Sequence, residues 1–145
     1  MLDQKLRTLF VLGTRPEAIK LAPVIGEFQK RPWAQPHVCL TGQHREMVSQ
    51  MLDVFDIAPD ADLQVMTHRQ SLQSTAAKIL TGIQKVLRDV QPHLVIVQGD
   101  TTTTLAASLA ASYEKVPVAH VEAGLRTWNR FEPFPEEINR RLVDC

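Results

Sequence analysis

The residues of this chain that could do chemistry are acids and cations placed where strand-like runs end. Asp100 follows LVIVQG, Glu122 follows VPVAHV, and Glu136 stands in the segment PFPEE. Carboxylates so placed can move protons. Arg15 and Lys20 follow the first apolar run, and Arg126 and Arg130 follow Glu122, so guanidinium or ammonium groups could hold a phosphate or neutralise one that departs. Asp100 has a second reading: next to a helix start it could accept free N–H bonds, which favours its ionised form and makes it a structural group and a weak base. Arg15 and Lys20 also read two ways, as a solvated helix end or as cations that meet an anion where a helix N-terminus adds positive potential.

Other chemistries lack their residues. The loops GTRPE, QGDTTTT and EAGLR match neither G-x-G-x-x-G nor the phosphate-binding loop with its lysine. There is no G-x-S-x-G elbow, and the five histidines are scattered without metal-ligand spacing, so no metal site is expected. Sixteen basic and sixteen acidic residues cancel, which favours neither nucleic acid nor a membrane surface as partner. Cys39 and Cys145 give no disulfide framework. No stretch approaches the ~20 apolar residues needed to span a bilayer, and no cleavable leader is recognisable, so a cytoplasmic location is expected.

The elements that must position these groups follow from periodicity. His93 to Ala111 reads as a strand buried on both faces (Leu94, Val95, Ile96, Val97), a tight exit at Gly99, and a helix packed through Leu105, Leu109 and its alanines. Thr8 to Leu12 is a first strand, followed by a helix with Thr14 and Glu17 as a capping box and Pro23 as an expected kink or break. A second strand covers His37 to Thr41, and Met47, Val48, Met51, Leu52 and Phe55 mark one face of the helix after it. A short extended piece is expected near Leu63 to Met66. Ser71 to Val90 is a long helix, and Val116 to Val121 a further strand. A helix begins at Pro135, with Ile138 and Leu142 on its buried face. With 44% hydrophobic residues, 145 residues bury one core, so a single domain over 1–145 is expected. Strand and helix alternate at least four times, which gives an α/β, doubly wound Rossmann-like domain with a mainly parallel sheet. In such sheets ligands sit beyond the carboxyl ends of the strands, where Asp100 and Glu122 would share a crevice.

The segments VLGTRPEAIKLAP, TGQHREM, QGDTTTTLAASLAA, HVEAGLRTW and PFPEEINRR, in this order and spacing, resemble the signatures of the bacterial non-hydrolysing UDP-N-acetylglucosamine 2-epimerases. The resemblance runs from residue 8 to the end. It implies one half of a two-domain fold of the glycosyltransferase-B type, with a C-terminal nucleotide-binding domain as partner, and a homodimer. It implies interconversion of UDP-N-acetylglucosamine and UDP-N-acetylmannosamine for surface polysaccharides, without nicotinamide or another cofactor. Elimination of UDP with loss of the C2 proton, and readdition after reprotonation from the other face, is the implied route. Asp100, Glu122 and Glu136 match the family's catalytic acids, and Arg15 and Lys20 match substrate-site residues. His44 and Arg126 are further substrate-site candidates at strand-to-helix junctions. Gln43 and Arg69 match positions of an allosteric nucleotide-sugar site, although Glu46 departs from the glutamine found in one such member. Taken alone, the 145 residues are expected to be inactive. A non-catalytic nucleotide-sugar-binding module and a glycosyltransferase half are the alternatives.

Overall fold

The computed structural model describes residues 5–42, 45–67 and 69–144. Strand β1 (Leu6–Leu12) leads to helix α1 (Arg15–Gln29), β2 (Ala34–Leu40) to α2 (Arg45–Val54), and the two-residue β3 (Ala61–Asp62) to α3 (Leu72–Val90). Strand β4 (Leu94–Gln98) then leads to α4 (Thr102–Tyr113), and β5 (Val118–Val121) precedes α5 (Glu136–Val143). The sheet order is β3-β2-β1-β4-β5, with every pairing parallel. The order reverses between β1 and β4, so the loops leaving these two strands diverge and open the crevice at which doubly wound sheets bind ligands.

The pleat divides the apolar residues between two cores. Phe10, Leu12 and Ile96 face α1 and α2, where Leu21, Ile25, Val48 and Leu52 are buried. Leu9, Val11, Val95 and Val97 face α3 and α4. Phe10 is sealed and meets Phe28 edge to face, with ring centroids 5.5 Å apart. Helices on both sides explain why β1 and β4 are apolar without alternation.

Several expectations are corrected. Helix α1 runs in one piece through Pro23, which is exposed, so water can take over the bond that the missing N–H leaves. β2 starts earlier than expected and includes Pro36. That residue pairs with Thr8 on one side, while β3 reaches only Cys39 and Leu40 on the other. β3 lies at Ala61–Asp62 instead of near Leu63 to Met66. β5 begins at Val118, because the N–H of Val116 is taken by Ala111 at the end of α4. Met47 and Phe55 of the α2 face are exposed, as is Leu109; α4 packs through Ala106, Ala107, Ala110 and Ala111. Leu142 of α5 is also exposed, and α5 buries Glu137, Asn139 and Arg140 instead. Each of these polar residues has a partner inside: Asn139 and Arg140 meet Asp100, and Glu137 meets the loop after β5.

Candidate functional site

Beyond the carboxyl ends of β1, β4 and β5 lies a cleft of about 140 Å³ lined by Lys20, Gln98, Asp100, Glu122 and Leu125, with Thr14 and Glu17. β4 and β5 pair in parallel with Gln98 opposite Val121, so Asp100 and Glu122 leave neighbouring strand ends side by side. The sheet thus supplies what two distant sequence motifs could not: a common opening for two carboxylates.

Glu122 sits in the left-handed region with φ 62°, which turns its side chain off the strand. Its Oε2 accepts from Lys20 Nζ of α1 and from Gln98 Nε2 at 2.6 Å. A carboxylate only accepts, so the Gln98 amide must present its nitrogen here. The Lys20 bond holds the Glu122 carboxyl below the ordinary range, against a smaller opposing effect of burial. Glu122 is therefore ionised at neutral pH.

Asp100 is not the helix cap. Thr101 caps α4, its side chain accepting from the N–H of Thr104 at 3.1 Å, which leaves the Asp100 carboxylate for other partners. Asp100 Oδ2 lies 2.9 Å from Arg140 Nε in an ion pair, and the Asp100 carbonyl accepts from Asn139 Nδ2 at 2.8 Å. One turn of α5 thus holds both ends of Asp100. Next to Arg140, Glu137 is sealed from solvent and accepts from the N–H groups of Thr127 at 3.0 Å and Trp128 at 3.2 Å. The Thr127 bond does most to keep its carboxyl low. Glu137 fixes the loop after β5, where Trp128 also has a positive φ.

The family then follows from comparison. A family model described as UDP-N-acetylglucosamine 2-epimerase matches residues 26–145. The chain belongs to the UDP-N-acetylglucosamine 2-epimerase family. An epimerase of that name from Salmonella borreze is 56% identical over 137 residues, covering 94% of this chain and 36% of the relative. The crystal structure of UDP-GlcNAc 2-epimerase from Neisseria meningitidis bound to UDP-GlcNAc superposes with a TM-score of 0.90 at 55% identity, over 94% of this chain and 38% of that one. The Methanocaldococcus jannaschii enzyme in complex with UDP-GlcNAc and UDP gives 0.87 at 40% identity, over 95% and 38%. The chain therefore spans just over a third of the length of the relatives it matches.

Of the residues that the sequence nominated in this epimerase-family chain, the structure brings Lys20, Asp100 and Glu122 to one cleft. Arg15 is exposed at the first position of α1 and outside the lining, and Glu136 is half-buried at the first position of α5, also outside it. Arg126 turns away: its guanidinium is held by Asp144 and by the carbonyls of Ala123 and Leu125. Burial would raise Asp144, but the bonds from Arg126 and His120 outweigh it and hold the carboxyl low. His120 spans from Asp144 to the Gly99 carbonyl, with 2.6 Å at each ring nitrogen. Arg69 is exposed in the loop before α3, outside the cleft lining. Gln43 and His44 lie outside the described residues. Among the described residues no His, Cys, Asp and Glu group could hold a metal, and no helix is long and apolar enough to cross a membrane.

Sequence reasoning missed Gln98, Glu137, Asn139, Arg140 and the wider role of Glu17. Gln98 carried a signal, since a buried glutamine ending an apolar strand run needs a polar partner. The Glu137 to Arg140 spacing of three residues on one helix face was another.

Proposed function

We propose that this chain supplies the acid-bearing part of a UDP-N-acetylglucosamine 2-epimerase of the non-hydrolysing type, acting in surface-polysaccharide synthesis. In this reading the C2–H bond of the sugar breaks to a carboxylate, its electron pair forms the C1–C2 double bond, and the C1–O bond releases UDP. Readdition of UDP, with a proton delivered to C2 from the other face, gives UDP-N-acetylmannosamine. A weakly acidic C2 proton needs a positioned base, and inversion is easiest with two proton carriers on opposite faces.

The observation that carries the proposal is the shared cleft of Asp100 and Glu122, each beside a cation, Arg140 and Lys20. The cations keep both acids oriented and favour anionic charge on a bound ligand. At about 140 Å³ the cleft falls short of the ~300–1,000 Å³ of typical whole-ligand pockets, which suits a sugar ring whose nucleotide is held elsewhere. Glu136 enters the proposal through its motif position.

The test is proton exchange. The full-length enzyme carrying this chain is incubated with UDP-N-acetylglucosamine in heavy water, and C2 is followed by NMR. Deuterium at C2, lost in Asp100→Asn, supports the reading. An unlabelled C2 would defeat it, because a glycosyltransferase or a binding module leaves that hydrogen in place.

A further inference from the structure

The cleft contains a third carboxylate that the proposed chemistry does not use. Glu17 is 1% exposed, and donors reach both of its oxygens. Oε2 accepts from the N–H of Gly13 at 2.8 Å, the N–H of Thr14 at 2.6 Å and the Thr14 hydroxyl at 2.9 Å. Oε1 accepts from the Thr101 hydroxyl at 2.6 Å, with Thr104 Oγ1 3.3 Å away. Sealed from solvent and engaged through both oxygens, this carboxylate is placed to hold structure instead of taking a substrate proton.

The two oxygens serve two different loops. All donors to Oε2 belong to the turn between β1 and α1, the helix that carries Lys20. Both hydroxyls at Oε1 belong to the start of α4, directly after Asp100, and Thr104 also bonds to the Gln98 carbonyl at 2.7 Å. These loops leave β1 and β4, where the strand order reverses, so their separation sets the width of the crevice.

Resting on the epimerase reading, we propose that Glu17 is a positioning residue. Its side chain bridges the β1–α1 and β4–α4 loops and so fixes Asp100 relative to the Lys20–Glu122 pair. Burial raises its carboxyl above the ordinary value, so a neutral side chain of the same length suits the site. Glutamine can face the Gly13 and Thr14 N–H groups with its oxygen and the threonine hydroxyls, which also accept, with its nitrogen. Aspartate keeps the charge but is one methylene too short to hold both loops.

The experiment compares Glu17→Gln, Glu17→Asp, Thr101→Ser and Thr101→Ala in the full-length enzyme by C2 deuterium incorporation, and by amide exchange of segment 99–104. An ångström of misplacement costs up to ~100-fold in rate, so Glu17→Asp should lower kcat about 10- to 100-fold with KM changed less than about threefold. Glu17→Gln should stay within about fivefold of wild type. Thr101→Ala should lose kcat in the same way and Thr101→Ser should restore it. Exchange in 99–104 should quicken only in Glu17→Asp and Thr101→Ala. Glu17→Asp matching or exceeding Glu17→Gln overturns the proposal, as does a loss confined to KM. If Glu17→Asp does not fold, Thr101→Asp decides, because it keeps the α4 cap but cannot donate to Glu17, and wild-type kcat there overturns the proposal. A wild type without deuterium at C2 sinks the epimerase reading alone, and the exchange contrast still accepts or rejects the bridge.

Discussion

Replacing Glu122 by glutamine keeps the shape of the side chain and removes its charge, so it separates chemistry from folding. The Lys20 and Glu122 side chains are 45% and 36% exposed, which places the pair among solvent-screened ion pairs worth about 0–1 kcal/mol. Gln98 can still donate to the amide oxygen, and the φ of 62° strains glutamine as it does glutamate. The stability loss should therefore stay under about 1 kcal/mol, a Tm shift of no more than ~4 °C for a chain of this size. A positioned proton carrier is worth ~10²–10⁴ in rate, so turnover should fall at least about a hundredfold. Thermal unfolding of the 145-residue chain and initial rates of C2 deuterium incorporation in the full-length enzyme are the two assays. Because Glu122 titrates below its unfolded value of 4.5, its contribution to stability is present above that pH. It is lost as pH falls through the lower folded value, so the two Tm values should converge there. Turnover within about tenfold of wild type would refute proton transfer by Glu122. A Tm loss beyond about 8 °C would refute the claim that the pair is screened.

Four further outcomes are expected. Burial pushes the Cys39 thiol up to about 12, so in Cys145→Ser a thiol reagent at pH 8 should label Cys39 only after unfolding; prompt labelling of the native chain contradicts this. Phe10→Ala should cost about 3–5 kcal/mol in urea unfolding, because it leaves a cavity at the centre of the sheet beside Phe28. Glu137→Ala should speed amide exchange at Thr127 and Trp128, which lose their acceptor, and unchanged protection there would remove Glu137 as the anchor of that loop. Purified residues 1–145 should give no measurable turnover and at most weak UDP binding, since the cleft is too small for a nucleotide; robust epimerisation would contradict this.

Much of the fold was legible because it depends on local spacing. The continuous apolar runs of β1 and β4, the long stripe of α3 and the turn at Gly99 each act within a few residues, and the sheet is built from them. The misreadings arose where one residue type serves two purposes. Asp100 has the chemistry of a cap, yet Thr101 takes that place and frees Asp100 for Arg140. Periodicity assigned Leu142 to the interior of α5, but the helix turns Glu137, Asn139 and Arg140 inward, where Thr127, Trp128 and Asp100 supply their partners.

By itself the sequence determined the order of the main strands and helices, the family signature and which acids and cations stand at strand ends. The tertiary structure decided which of them meet. Lys20 and Glu122 are 102 residues apart, and Glu17 and Thr101 are 84 apart. Only the parallel order β2-β1-β4-β5 brings such pairs within hydrogen-bond reach. Spacing along a chain encodes a helix face or a strand edge. Contacts across a crevice depend instead on how whole layers pack, and no local pattern carries that information.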